Sequence, residues 1–192
     1  MKRFFSYAVA ALLLFSLSGC SYNTMVSLDE AVKNKWAVVQ SSYQRRADLI
    51  PNLVNTVKGA AEFEKSTLTQ VIQARANATS VKIDPANLTP ENIQKFQQAQ
   101  DALGGSLSRL LAVAESYPQL KANQNFLELQ AQLEGTENRI NVARNDFNQS
   151  VNEYNSKIRS FPANITAGIF GFKQKGYFEA SAAAQNAPTV QF

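Results

Sequence analysis

The run FLELQAQLEGTENRINVARNDFNQSVNEYNSKIRSF, Phe126 to Phe161, decides the fold. Phe126, Leu133, Ile140, Phe147, Tyr154 and Phe161 follow one another at intervals of seven, and Leu129, Ala143, Val151 and Ile158 supply a second stripe. A sustained seven-residue apolar repeat specifies helices wound side by side over a long distance. The pattern predicts one helix from about Gln119 to Phe161, roughly 65 Å long. That axis is too long for a compact globule of 192 residues. The expected fold is all-α, an elongated antiparallel bundle of three to four long helices.

Working back from that seam, Tyr117-Pro118 reads as a tight corner. Thr89-Pro90-Glu91 reads as a helix start: a capping hydroxyl, a proline whose missing donor is not needed, and an early acid. The helix continues through Ile93, Phe96, Leu103, Leu107, Leu110 and Leu111 to about Ser116. Gly104-Gly105 lies inside it at a cost of ~1 kcal/mol per glycine relative to alanine, which predicts close approach of a neighbouring helix. Asn77 to Asn87, with Asp84-Pro85, reads as a linker. Before it, Ser27 and Glu30 have the spacing of a capping box. Val32, Trp36, Val39 and Tyr43 carry one helical stripe, and Ile50, Val54, Val57, Ala61, Leu68 and Val71 resume it. Pro51 interrupts the pattern. An interior proline removes a ladder bond and clashes with the preceding turn, so the first helix is expected to kink or break near Ala47–Pro51, with Asp48 capping the second piece.

At the start of the chain, Met1-Lys2-Arg3 precedes an apolar run from Phe4 to Leu17 and the sequence Leu17-Ser18-Gly19-Cys20. A basic start, a short apolar run and a small-residue exit describe a secretory signal peptide, here residues 1–19. The run is shorter than the roughly 20 residues a membrane-spanning helix needs. Leu-Ser-Gly-Cys resembles the bacterial lipobox, which makes Cys20 the expected lipid attachment and residues 20–26 a tether. Cys20 is the only cysteine in the sequence, so it has no disulfide partner within the chain. Two or three acyl chains, at ~0.8 kcal/mol per buried methylene, would hold the protein on a membrane. Ser21 in place of aspartate favours, by resemblance to envelope sorting rules, an outer membrane facing the periplasm. Removing Lys2 and Arg3 lowers the formal charge from +4 to +2. No basic block of the kind that tracks phosphates exists, so a nucleic-acid partner is not expected.

The chain has no histidine. With Cys20 acylated, Ser-His-Asp and Cys-His nucleophiles, histidine-containing zinc sites and cysteine redox chemistry fall away, and no cofactor is expected. Paired acids such as Glu62 with Glu64 and Glu134 with Glu137 read as solvated helix faces. Two polar clusters stand out: Arg45, Arg46 and Asp48 beside Pro51, and Glu137, Asn138 and Arg139 with Asn141, Arg144, Asn145 and Asn148 along the last helix. Polar residues inside bundles commonly fix register, and the other reading is a site for a partner or small ligand. Beyond Pro162, Phe170, Phe172, Tyr177 and Phe178 alternate with glycines, and the chain ends at Phe192. The first four either fold back to plug the open end of the bundle or dock on a membrane or protein, and the terminal Pro188–Phe192 reads either as a frayed end or as a C-terminal peptide captured by strand addition. The small, polar residues after Glu179 read as a flexible tail. The bundle domain is expected to span 27–161 and the glycine and aromatic segment with its tail 162–192.

Several stretches together resemble the LemA family. They are Tyr22-Asn23, the run from Tyr43 to Val54 (Tyr-Gln-Arg-Arg-Ala-Asp-Leu-Ile-Pro-Asn-Leu-Val), Ala74-Arg75-Ala76 and the run from Tyr117 to Asn123. Glu134 to Ile140, Ala143 to Asn148, Tyr154-Asn155, Phe161-Pro162, Phe170-Gly171-Phe172, Tyr177-Phe178 and the ending Pro-x-Val-x-Phe complete it. The resemblance implies a membrane-anchored helical bundle with no known enzyme activity. Many relatives keep a transmembrane helix where this chain has a lipobox. It also points to other envelope proteins as partners, a TPM-domain membrane protein among them, and leaves a homo-oligomer open. The function expected is that of a non-enzymatic scaffold or interaction protein. The alternatives are an envelope enzyme using the carboxylate and arginine cluster, or a carrier of an amphipathic ligand.

Overall fold

In the computed structural model, residues 2–59 and 64–179 are described, with side chains from Ser21 onward. Six helices follow in order: α1 Lys2–Lys58, α2 Lys65–Ser80, α3 Pro90–Ala114, α4 Pro118–Lys121, α5 Gln124–Arg159 and α6 Ala163–Phe170. The long ones form an all-α antiparallel bundle. Lys35 pairs with Asp146 at 2.7 Å and Arg46 with Glu137 at 2.9 Å, so ascending α1 means descending α5. Arg75 of α2 reaches Ala47 of α1, and Gln100 of α3 reaches both Arg46 and Ala78. The chain therefore runs up, down, up and down, and at 36 residues α5 is about 54 Å long.

The stripe expected from Ile50 to Val71 is split between α1, which ends at Lys58, and α2, which starts at Lys65 and runs to Ser80, into the expected linker. Three further boundaries differ between sequence and structure. First, α1 does not end at Pro51; the proline sits inside the helix. Proline leaves the carbonyl four residues earlier without its ladder donor, and that carbonyl, Ala47 O, accepts Arg75 Nε at 2.8 Å instead. A neighbouring helix thus repairs the gap, and Asp48 caps nothing; it accepts Gln44 Nε2 at 2.7 Å. Second, Ser27 does not start a helix, because α1 runs straight through it. Third, the last long helix starts at Gln124 rather than Gln119. The four residues after Tyr117 form the separate α4, and the Asn123 side chain accepts Phe126 N at 3.2 Å as the cap of α5. At Thr89 the expected cap is present: Thr89 Oγ1 accepts Asn92 N at 3.3 Å, with Pro90 opening α3.

Two apolar cores result. The lower one gathers Met25, Trp36, Phe96, Phe147 and Tyr154, and the upper one Leu53, Val57, Leu103, Leu110 and Phe126. α2 does not reach the base. There the bundle is completed by Ile83 and Leu88 of the α2–α3 loop, by α6 and by the extended segment 171–179. The chain enters α6 through a cis Phe161–Pro162 bond and leaves it at Gly171, whose φ of 75° is the left-handed conformation that glycine adopts without strain. Instead of plugging an end, the segment lies along the flank. Phe172 lies beside Tyr22, and Phe178 beside Trp36. Six extended residues and fourteen helical ones each cover roughly 20 Å, so the two run level.

A polar layer, a clasped segment and an open cleft as the candidate functional site

A polar layer separates the two cores and touches every long helix. Arg46 on α1 is 4% exposed; its Nη1 donates to Glu137 Oε2 on α5 at 2.9 Å. Arg46 Nη2 donates to Gln100 O at 3.0 Å and Gln100 Oε1 at 2.9 Å on α3. Gln100 Nε2 in turn donates to Ala78 O of α2 at 3.2 Å. The guanidinium carbon lies 5.1 Å from the Tyr43 ring centre, and the Tyr43 hydroxyl is pushed above its ordinary value by burial. Buried, directional pairs such as these make one helix register cheaper than its neighbours. Among the described residues, Arg46 Nε is buried without a hydrogen-bond partner.

Below that layer the segment 171–179 is held by side-chain amides that imitate a peptide backbone. Asn155 Oδ1 accepts Lys175 N while Asn155 Nδ2 donates to Lys175 O, both at 2.9 Å. Asn148 treats Phe178 in the same way, with both contacts at 2.8 Å. Gln97 on α3 treats Glu179 likewise, at 3.1 and 3.0 Å. Each carboxamide satisfies one donor and one acceptor of an extended chain that, among the described residues, has no strand beside it. Two side chains then lock the segment. Phe178, 4% exposed, stacks on Trp36 at 6.1 Å, meets Phe147 edge-on at 5.5 Å, and carries the Arg144 guanidinium 4.9 Å from its ring centre. Lys175, 7% exposed, donates to Asp29 Oδ1 at 2.7 Å.

Burial pushes the Asp29 carboxyl up, but hydrogen bonds from Lys175 and Lys33 outweigh it and hold the group below its ordinary 3.8. A depressed carboxyl contributes stability that is present above the unfolded value and lost as pH falls through the folded one. Wild type should therefore lose thermal stability below about pH 4. Asp29→Asn should already melt lower at neutral pH and show a smaller acid loss. Melting curves with the same acid loss in both proteins would remove Asp29 from that account.

Above the layer, α3 and α5 part to leave a cleft of about 650 Å³. Leu107, Leu111 and Leu133 give it apolar walls, Asp101, Glu134 and Glu137 an acidic rim, and Arg46 lines it as well. Gly104 and Gly105 line it too, which corrects the expected close approach of a helix. Among the described residues, a Cβ on Gly104 would meet only Arg46 Nη1, at 3.8 Å, and one on Gly105 would meet nothing within 4 Å.

The sequence clusters are thus partly assembled. Arg46 and Glu137 meet, and Arg144 joins the clasp by donating to Glu179 O at 2.7 Å. Arg45, Asp48 and Asn138 are exposed, and Arg45 and Asp48 line a different surface from the one holding Glu137. Asp48 and Glu137 therefore do not share a site. Glu64 is bound by Ser66 and Thr67, Glu134 by Gln130, and Glu62 lies outside the described residues. Of the docking aromatics, Phe178 is interior, Phe172 is partly buried, and Phe170 and Tyr177 are exposed. Phe192 lies outside the described residues, and of Cys20 only the helical backbone is described. Gln97, Gln100, Asn155 and Lys175 were missed. The two glutamines occupy apolar register positions of α3, and Asn148 and Asn155 stand seven apart, one step behind Phe147 and Tyr154.

A family model, the LemA family, matches residues 35–192. The chain belongs to the LemA family. It is 29% identical over 175 residues to Magnetosome protein MamQ 2 of Paramagnetospirillum magneticum, covering 82% of this chain and 64% of that protein. It is 28% identical over 174 residues to Magnetosome protein MamQ of Magnetospirillum gryphiswaldense, with the same shares, 82% and 64%. Protein LemA of Metamycoplasma hominis is 23% identical over 159 residues, which is 83% of this chain and 69% of that one. The chain thus spans somewhat less than two thirds of its magnetosome relatives. The LemA match contains the polar layer, the clasp and the cleft, while Cys20, Tyr22 and Asp29 precede it. Among the described residues, no helix is long and apolar enough to cross a membrane.

Proposed function

We propose that this LemA-family chain is a non-enzymatic interaction protein of the bacterial envelope, tethered through acylated Cys20 and facing the periplasm, whose α3/α5 cleft holds an extended peptide of a partner protein. The clasped segment carries this reading. Gln97 of α3 and Asn148 of α5 already grip an extended chain by its backbone up to Glu179. The same two helices open into the cleft one turn further along α3, at Gln100 and Asp101. A groove that reads backbone accepts many sequences, and its apolar walls and acidic rim favour apolar side chains flanked by Lys or Arg. A TPM-domain membrane protein is one candidate partner.

The helix glycines support the same conclusion. Each weakens α3 by ~1 kcal/mol, and among the described residues no neighbour requires either to be bare. Gly105→Ala should therefore raise stability by ~1 kcal/mol in urea unfolding, whereas Gly105→Leu should fill the cleft without disturbing the core. A photo-crosslinking residue placed at Ser108, which is exposed and lines the cleft, should form a discrete adduct in cells. Adding Gly105→Leu should abolish that adduct, and moving the probe to exposed Arg139 should not yield it. An adduct indifferent to Gly105→Leu, or none at all, would dismiss the cleft as the binding site.

A further inference from the structure

The helix α6 is turned inside out. It packs Ala163, Thr166 and Ala167 against the bundle and turns its large apolar residues to solvent: Ile165 is 56% exposed, Ile169 73% and Phe170 60%, and Phe161 just before it is 82% exposed. Burial would stabilise the fold with the opposite arrangement, so folding of the isolated chain does not account for this face. Its position is specific. Phe170 lies 4.7 Å from the Tyr22 ring, and Tyr22 is the second residue after Cys20. The antiparallel register brings the end of α5, at Arg159, to that same level. The charges nearest the base are basic, with Glu153 one turn above Lys157 on α5 and Glu91 of α3 beside Gln174 and Lys175. Lys157, Arg159 and Lys173 are the charged residues of 154–173, and 21–28 contain none.

We propose that this base is a membrane-docking surface: α6 lies in the headgroup–acyl boundary of the bilayer that holds the tether, with Phe161, Ile165, Ile169 and Phe170 immersed. Lys157, Arg159 and Lys173 then sit over anionic headgroups. An apolar face with basic neighbours is the composition of an interfacial helix, and continuity with the tether selects the bilayer as its occupant. A second copy docked base to base would set three cations against three. The inference rests on the reading that residues before Ser21 hold the chain at a membrane, but not on acylation itself.

The full-length chain offers one thiol, Cys20. Coupling it to a maleimide-headgroup lipid in phosphatidylethanolamine and phosphatidylglycerol vesicles fixes the tether chemically. Ile169→Trp replaces an exposed residue at the base, and Leu127→Trp replaces one, 44% exposed, at the far end of α5. Brominated acyl chains should quench the new tryptophan at 169 several-fold more than the one at 127. Wild type, whose only tryptophan is the buried Trp36, should be quenched little. High salt or purely zwitterionic vesicles should reduce the effect. An unquenched tryptophan at 169, quenching equal to that at 127, or a blue shift without bromine quenching that rises with protein density would each overturn the proposal; the last would indicate a second copy. Because coupling supplies the tether, none of these results bears on acylation, which the mass of the Cys20 peptide from cell envelopes reads separately.

Discussion

Phe178→Ala is expected to cost the fold about 3–5 kcal/mol, the range for truncating a fully enclosed aromatic. The ring fills a box made by Trp36, Phe96 and Phe147 in the centre of the lower core. Its loss leaves a cavity between α1, α3 and α5 that rigid helices close poorly. The loss also spreads. The Arg144 guanidinium loses the ring it covers, and the amide clasps at Lys175, Phe178 and Glu179 lose the side chain that seats them. Emission from Trp36, the chain's only tryptophan, should shift to the red under native conditions, and urea unfolding should give the lower stability. A variant that unfolds within 1 kcal/mol of wild type, with unshifted emission, would show that the segment is an accessory rather than part of the core.

Gly176→Ala should act on the same segment from the backbone side. A Cβ there would lie 2.6 Å from Pro90 Cα, 2.9 Å from Pro90 N and 3.1 Å from Thr89 O. All three are main-chain atoms of the α3 cap, so no flexible side chain can yield. Either the cap moves or the segment lifts, and lifting breaks the Gly176 N to Leu88 O bond of 2.9 Å. Overpacking of this kind costs typically 1–3 kcal/mol, and broken clasps add to it. Amide exchange resolved by residue is the informative measurement. Protection should fall at Lys175, Gly176, Phe178 and Glu179 while the upper half of the bundle keeps its own. Combined with Phe178→Ala, the loss should be less than additive, because one detachment serves both. Full protection across 175–179 in Gly176→Ala would contradict the close approach.

Periodicity exposed what the chain does with itself along one helix, and failed where a second helix decides. The seven-residue seam identified α5 and its need for a partner of equal length, and Thr89-Pro90 marked the start of α3 because its cap is local. Pro51 misled because what keeps α1 going is a donor 24 residues away in sequence, Arg75, and spacing carries no sign of it. Gly104-Gly105 announced an unusual demand on α3, but a bare helix surface serves a neighbour and an opening equally well. Arg46 and Glu137 were both visible as polar intruders, and the antiparallel register joins them; Arg45, Asp48 and Asn138 had the same composition and fell on the solvent side. The amide clasp was the least legible feature, since Asn148 and Asn155 on a helix look like amides turned to water until an extended chain is laid across them.

The unbroken path of α1 through Ser27 has a consequence for reach. From Tyr22 to Arg46 the helix rises about 36 Å, so with its base on the bilayer the cleft stands that far out from the headgroups. A binding segment rooted in the same membrane must bridge this height, at no more than ~3.6 Å per extended residue. Partners whose soluble parts hug the lipid are therefore out of range, and those with a stalk or linker of about ten residues or more are within it.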